Sequence, residues 1–152
     1  MEVSKRQTNI VGIASTPNRI EGLKDTIKCL SPQVDHIYVW LNGYKKIPSV
    51  TETNVTFHLS KENIGAIGKF LVKKYVKEKN YNYFSCDDDI LYPPNYIQTN
   101  LDQFEPNTIQ SSHGGFYLKF PIESYYKEAD FGRNIPLTFP QNIPHKCVAR
   151  GS

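Results

Sequence analysis

Three consecutive carboxylates, Asp87-Asp88-Asp89, are the residues of this chain whose types and spacing point most directly to chemistry. They follow the apolar, aromatic run Tyr81–Cys86 and precede Ile90-Leu91-Tyr92-Pro93-Pro94. A strand that delivers adjacent acids to its C-terminal edge and then stops at a Pro-Pro turn can hold a hard divalent cation. Mg²⁺ and Mn²⁺ prefer oxygen donors and commonly take one or two carboxylates together with the phosphates of a nucleotide. An exposed acidic turn ahead of a helix accounts for the same residues, because Asp is frequent in turns and at helix N-caps. The rest of the chain has to decide between the two.

Arg19 is a second candidate. Thr16-Pro17 reads as an N-cap residue followed by Pro at the first helical position, which makes Arg19 the third helical residue. A cation there opposes the helix dipole, which favours acids in the first turn by about 0.3–1 kcal/mol. Contact with a phosphate or a base would explain the exception, and so would an exposed Arg whose stem packs on a neighbour. Asn63-Ile64-Gly65-Ala66-Ile67-Gly68-Lys69 is a glycine-bearing loop at a helix start, where backbone N–H groups can meet an anion. It lacks the Walker spacing and the Lys-Ser/Thr pair of a P-loop. Lys69 could pair with a diphosphate, but its register with Lys73 and Lys77 equally describes a solvated face. His113-Gly114-Gly115 combines close backbone approach with a potential metal ligand or base, although a His in a turn is more often neither. His36, His58 and His145 have no partner in the sequence pattern.

The elements that must position these residues alternate in type. Asn9–Ser15 is a short apolar run and predicts a buried strand. Ile20, Leu23, Ile27 and Leu30 recur at helical spacing and predict one apolar stripe, ended by Ser31-Pro32. His36–Leu41 predicts a second strand closed by Asn42-Gly43, and Val55–Leu59 a weaker third. Ser60–Gly68 predicts a polar loop leading into a helix over Ile67–Lys79. Asn82–Cys86 predicts the fourth strand, followed by a helix from Pro94 to Phe104 and a strand from Thr108 to Ser112. The order β-α-β-β-α-β-α-β implies an α/β sandwich around a mainly parallel sheet. Ligands of such sheets sit at the carboxyl ends of strands, where Ser15–Arg19, Asn42-Gly43, Lys61–Gly65 and Asp87–Asp89 all fall.

Beyond Pro121 the pattern changes. Pro121, Pro136, Pro140 and Pro144 punctuate a Tyr- and Phe-rich stretch without periodicity, which predicts loop and irregular structure. The expected organisation is a core over 1–115 and an irregular segment over 116–152, ending at Arg150-Gly151-Ser152 as though more should follow.

Bulk properties exclude several classes. A chain of 152 residues suits one domain with a real core. Eighteen basic against fifteen acidic residues give a net charge of +3, which suits an anionic small molecule but is too weak and dispersed for nucleic acid. Met1–Thr8 is polar and lacks the apolar core of a signal peptide, and no run approaches the roughly 18 apolar residues of a membrane span. Cys29, Cys86 and Cys147 are widely spaced and form no CxxC pair, against a structural zinc site and a disulfide framework. A reducing cytoplasm is the simplest compartment. The sequon Asn54-Val55-Thr56 is a tripeptide common by chance and carries little weight.

Taken in order, Ile13-Ala14-Ser15-Thr16-Pro17-Asn18-Arg19, Ile37-Tyr38-Val39-Trp40-Leu41-Asn42-Gly43, Glu62-Asn63-Ile64-Gly65 and Asp87-Asp88-Asp89 before Tyr92-Pro93-Pro94 resemble the GT-A glycosyltransferases. The closest likeness is to the family-2-like enzymes of bacterial surface polysaccharide synthesis, over roughly Asn9–Gly115. The resemblance implies a GT-A α/β/α sandwich and a DxD motif with Asp87 and Asp89 in its first and last places as the metal residues, Asp89 as the direct ligand of Mn²⁺ or Mg²⁺ and Asp87 nearer the ribose or the metal. Asp88 takes the variable place, and in a triplet the register can slip by one. Thr16, Pro17 and Arg19 match the loop against the base and ribose, Asn42 the strand end beside the base, and Asn63, Gly65 and Lys69 the loop and helix start flanking the diphosphate.

The expected activity is transfer of a sugar from a nucleotide-diphospho-sugar, a UDP-sugar first, to a hydroxyl of a glycan or lipid-linked acceptor. Peripheral membrane association is compatible with a lipid-linked acceptor. The general base of such enzymes comes from sequence after the donor-binding half, and Glu123, Glu128 and Asp130, the acids after Glu105, have no catalytic context here. A truncated or non-catalytic GT-A domain that only binds nucleotide sugar is therefore the alternative. A nucleotidyltransferase ranks last, because its Gly-rich, Arg/Lys-containing signature is absent after the first strand.

Overall fold

The computed structural model of the chain describes residues 6–105, 110, 113–117, 129–130 and 147–150. The chain divides into two compact units, Met1–Thr99 and Asn100–Ser152, a division that falls ahead of the 115/116 boundary drawn from the sequence. In the first unit the elements are β1 (Thr8–Ser15), α1 (Ile20–Leu30), β2 (His36–Asn42), β3 (Val55–Ser60), α2 (Gly68–Leu71) and β4 (Tyr81–Cys86). A third helix, α3 (Tyr96–Asp102), crosses the division.

The four strands form one all-parallel sheet in the order β3-β2-β1-β4. The expected α/β class with a parallel sheet is therefore observed. β1 and β2 occupy the middle and are buried almost along their length, which explains why both read as apolar runs without alternation. Ile10, Val11, Ile13, Ile37, Val39 and Leu41 form the centre of the core. α1 buries Leu23, Thr26, Ile27 and Leu30 and turns Glu21 and Lys24 outward, where they pair at 2.9 Å.

α1 is also a brace for the chain that follows β4. Thr26 Oγ1 donates to the Ile90 carbonyl at 2.9 Å. At the end of the helix, Gln33 Nε2 donates to the carbonyls of Cys29 and Pro93, both at 2.9 Å, and its Oε1 accepts the Ile97 N–H at 3.1 Å. Gly22 faces the acidic segment: a Cβ there would lie 3.0 Å from the Asp88 carbonyl oxygen. A glycine inside a helix costs about 1 kcal/mol relative to alanine. Here it allows the backbone of Asp88 and Asp89 to lie against the helix.

The second helix departs from expectation. In place of one helix over Ile67–Lys79, the chain makes a 3₁₀ turn (Gly65–Ile67), the single turn of α2, and another 3₁₀ turn (Val72–Tyr75), and is extended at Val76. Close packing against the sheet accounts for the difference. The Lys69 carbonyl accepts a hydrogen bond from the Tyr83 hydroxyl of β4 over Gly12 of β1. Gly68 packs directly on the Trp40 side chain of β2. Neither glycine has room for a methyl group. The third helix also runs shorter than the expected Pro94–Phe104.

In the second unit, β5 (His113–Tyr117) pairs antiparallel with both β6 (Ala129–Asp130) and β7 (Cys147–Arg150), giving the order β6-β5-β7. Of the expected strand Thr108–Ser112 only Gln110 lies among the described residues, and it is not in a strand. The expectation of wholly irregular structure over 116–152 is corrected by β6 and β7. Strands of two and four residues are too short to leave a period in the sequence. Among the described residues no helix is long and apolar enough to cross a membrane.

Two outcomes follow from this packing. On helix propensity alone Gly68→Ala would stabilise by up to about 1 kcal/mol. The collision with Trp40 reverses the sign, to a loss of about 1–3 kcal/mol in urea unfolding. His36 and His58 lie on the sheet, and burial holds both below the ordinary imidazole value of 6.5, with the Lys74 charge adding to the effect at His58. The unfolded chain therefore takes up protons first as the pH falls. Stability is full above about 6.5 and declines below it. The urea midpoint is expected to drop between pH 7 and 5.5, and the drop to shrink in His58→Gln.

Candidate functional site

Because all four strands of the first unit are parallel, their carboxyl ends meet at one edge. The chain runs outward from β1 through β2 to β3 and then returns to place β4 on the other side of β1. The gap between the ends of β1 and β4 is thus a topological switch point, where open α/β sheets bind ligands. Thr16–Arg19 leaves β1 there, and Asp87–Asp89 leaves β4. Register brings them together, with Ile13 of β1 opposite Cys86 of β4.

Each acid of the triplet has a different environment. The Asp87 N–H donates to the Tyr92 hydroxyl oxygen at 2.9 Å, and Asp87 Oδ1 accepts from Lys69 Nζ at 2.8 Å. Asp88 is buried, its side chain only 4% exposed. Its Oδ1 accepts from Arg19 Nη1 at 2.9 Å, while its Oδ2 is enclosed without a hydrogen-bond partner. Asp89 is exposed, and its Oδ2 accepts from the same Arg19 nitrogen at 3.0 Å. The guanidinium is held above its ordinary value, first by the hydrogen bond and charge of Asp88 and then by the charge of Asp89.

The two cations flanking the triplet also differ. Lys69 is not on a solvated face: its side chain is 6% exposed and its amine is committed to Asp87. Lys73 and Lys74 do face solvent and lie over the rings of Tyr83 and Trp40. Arg19 is the last residue of a 3₁₀ turn, Pro17–Arg19, and the N-cap of α1, so its cation answers the acids across the gap. Its unfavourable position on the helix dipole is offset by that pairing. Cys86, directly before the triplet, is buried and its thiol is pushed up to about 12, chiefly by desolvation. A thiol so held is not a nucleophile near neutral pH.

Asn42, Asn63, Gly65, Thr16 and Pro17 lie at the same edge with mainly architectural contacts. Asn42 is buried, donates from Nδ2 to the Gly65 carbonyl at 3.2 Å and accepts the Ile64 N–H on Oδ1 at 3.0 Å. It clamps the loop after β3 to the end of β2. Asn63 Oδ1 accepts the Gly65 N–H at 2.9 Å, closing a tight turn in which Gly65 has φ +69. Thr16 Oγ1 donates to Asn18 Oδ1 at 2.6 Å and makes no side-chain cap bond to the helix, while Pro17 starts the 3₁₀ turn. His113 starts β5 in the second unit. Glu123, Glu128 and His145 lie outside the described residues, and Asp130 ends β6.

Two tyrosines escaped the sequence reading. Tyr44 donates to the Thr16 carbonyl at 2.9 Å and lies 3.0 Å from Ser15 Oγ, fixing the first loop. Its signal was its place directly after Asn42-Gly43, where Gly43 has φ +68. Tyr92 holds the backbone of the triplet itself, and burial pushes its hydroxyl far up.

Among the described residues no three His, Cys, Asp or Glu side chains converge into a ready-made metal cage. Carboxylates at a strand end can supply one or two ligands to a hard cation that completes its shell with phosphate and water; here all three are paired with Arg19 or Lys69. Compared with known proteins, the chain matches no family model and no curated protein.

The clamp at Asn42 is directly testable. Asn42→Ala leaves the Ile64 N–H and the Gly65 carbonyl without their partner. It is expected to cost about 1–3 kcal/mol in urea unfolding and to speed proteolysis within Lys61–Gly68.

Proposed function

We propose that this edge binds a nucleoside-diphosphate sugar together with Mn²⁺ or Mg²⁺, and that the protein is a metal-dependent glycosyltransferase of GT-A fold. The acceptor in this reading is a hydroxyl of a glycan or lipid-linked sugar, and a UDP-sugar ranks first among donors. One observation carries the proposal. Asp88 is a buried carboxylate with one oxygen unpartnered, set between two acids and two cations at the switch point of a parallel sheet. A lone buried acceptor costs about 1–3 kcal/mol, a cost that is offset when a ligand completes the site.

Charge balance supports the dependence on metal. Asp87, Asp88 and Asp89 oppose Arg19 and Lys69, which leaves the edge with an excess of one negative charge. A free diphosphate would be repelled, whereas a divalent cation reverses the sign of the site. When bound, such a cation neutralises charge building on the departing nucleoside diphosphate. The chain's own residues do the rest. Lys69 fixes Asp87, Tyr92 fixes the backbone of the triplet, and Asn42 and Tyr44 fix the two loops that would border the nucleotide.

The reading is tested by calorimetric titration of UDP, GDP, ADP and CDP in the presence of Mn²⁺, and by hydrolysis of the matching nucleotide sugars. Binding of at least one nucleotide is expected, abolished by EDTA and weakened roughly ten-fold or more in Asp88→Asn. No Mn²⁺-dependent binding of any nucleotide, with Asp89→Ala also without effect, would sink the proposal. Binding without hydrolysis or transfer would make the chain a binding-only GT-A domain.

A further inference from the structure

The two cations at the edge differ in their freedom to leave it. Lys69 is buried at 6% exposure, its amine sits on Asp87, and its own carbonyl is held by the Tyr83 hydroxyl. Arg19 is 51% exposed. Its side chain can swing outward without opening the core. While it stays, a single nitrogen, Nη1, bridges Asp88 Oδ1 at 2.9 Å and Asp89 Oδ2 at 3.0 Å. One positive atom spanning two carboxylates from adjacent residues occupies the position that a bound cation would need.

We infer that Arg19 is a built-in stand-in for the divalent cation, holding Asp88 and Asp89 in the unloaded protein and giving them up when the cation binds. The inference rests on the nucleotide-sugar reading and goes beyond it. It makes Asp88 and Asp89 the protein ligands of the cation, and it makes Asp87, locked to Lys69, a structural member of the triplet. The physical need is clear at Asp88. A buried carboxylate left unpaired is strongly destabilising, so the empty site requires a resident positive charge. Burial of Asp88 against the first turn of α1, with Gly22 admitting its backbone, keeps water from solvating that carboxylate in place of a cation.

The exchange also gives the displaced guanidinium a next partner. Arg19 is anchored at the N-cap of the eleven-residue helix α1. Its planar fork suits phosphate oxygens, and the helix N-terminus beside it favours negative charge. A nucleoside diphosphate that arrives with the cation therefore accepts Arg19 as the acids release it. Cation and nucleotide must then strengthen each other's binding, by the same factor in both directions.

The test is Mn²⁺ binding, read by electron paramagnetic resonance of the free ion, with and without UDP (or whichever of UDP, GDP, ADP and CDP binds tightest). In the wild-type protein Mn²⁺ alone should bind weakly, and the nucleotide should tighten it roughly ten-fold. Arg19→Gln should bind Mn²⁺ alone roughly ten-fold more tightly than wild type, yet lose most of the gain from nucleotide. Asp88→Asn should lose Mn²⁺ binding, and Asp87→Asn should keep most of it. Mn²⁺ should also raise the melting temperature of Arg19→Gln more than that of wild type, a readout independent of nucleotide. Arg19→Gln binding Mn²⁺ alone no more tightly than wild type overturns the inference. So does loss of binding in Asp87→Asn with retention in Asp88→Asn. If wild type binds nucleotide with Mn²⁺ and Arg19→Gln is unchanged, only the inference fails; if neither protein takes Mn²⁺ in any arm, the glycosyltransferase reading fails with it.

Discussion

β1 is hydrogen-bonded in parallel on both sides, to β2 over Ile10–Ser15 and to β4 over Thr8–Ile13. Everything chemical in the first unit depends on that double pairing. Parallel partners point their carboxyl ends the same way, so the loop after β1 and the acids after β4 are forced to the same edge, although about 70 residues separate them in sequence. An antiparallel β4 would carry Asp87–Asp89 to the opposite end of the sheet. The near-complete burial of β1 holds the register, since a shift of one residue would exchange its two buried faces.

The sheet brings the acids to the edge, and α1 sets their height above it. The helix and the 3₁₀ turn that follows it (Ser31–Gln33) contact the segment after β4 at three levels, through Gly22 at Asp88, Thr26 at Ile90 and Gln33 at Pro93 and Ile97. Each contact uses backbone on one side, which constrains the path of the chain more than its side chains. The turn at Asp88-Asp89 and the chain after it are thereby braced on one side of the sheet. The same economy appears on the other side of the gap, where Asn42 and Tyr44 fasten loops through backbone carbonyls and N–H groups. These contacts leave the charged groups as the parts of the edge with spare bonding capacity.

That spare capacity is unevenly distributed. Lys69 is buried and fully engaged with a half-exposed acid, whereas Arg19 is half-exposed and engaged with a buried one. The pairs are mirror images in burial. A cation that is itself exposed is more open to competing ions than one that is buried. The consequence is an edge with one buried and one exposed positive charge.

Much of this was legible in the residues themselves. The apolar runs of β1 and β2, the stripe Leu23, Ile27 and Leu30, and the acids closing β4 all carry local signals, because burial on a sheet or helix imposes its period directly on the sequence. The broken second helix was not legible, because Ile67, Leu71, Val72, Tyr75 and Val76 keep a helical spacing. Only the contacts of Gly12, Gly68 and Tyr83 across the sheet show why the chain tightens and stops. The short strands β6 and β7 left no period to read. The sequence by itself determined which residue types stand at the strand ends, and hence that the edge is polar and charged. Tertiary structure alone decided that Asp88 is the buried acid, that Lys69 is inside and committed to Asp87, and that Arg19 is the exposed cation bridging Asp88 and Asp89. Those are properties of pairs brought together by packing, and adjacency in space cannot be read from the order of residues along the chain.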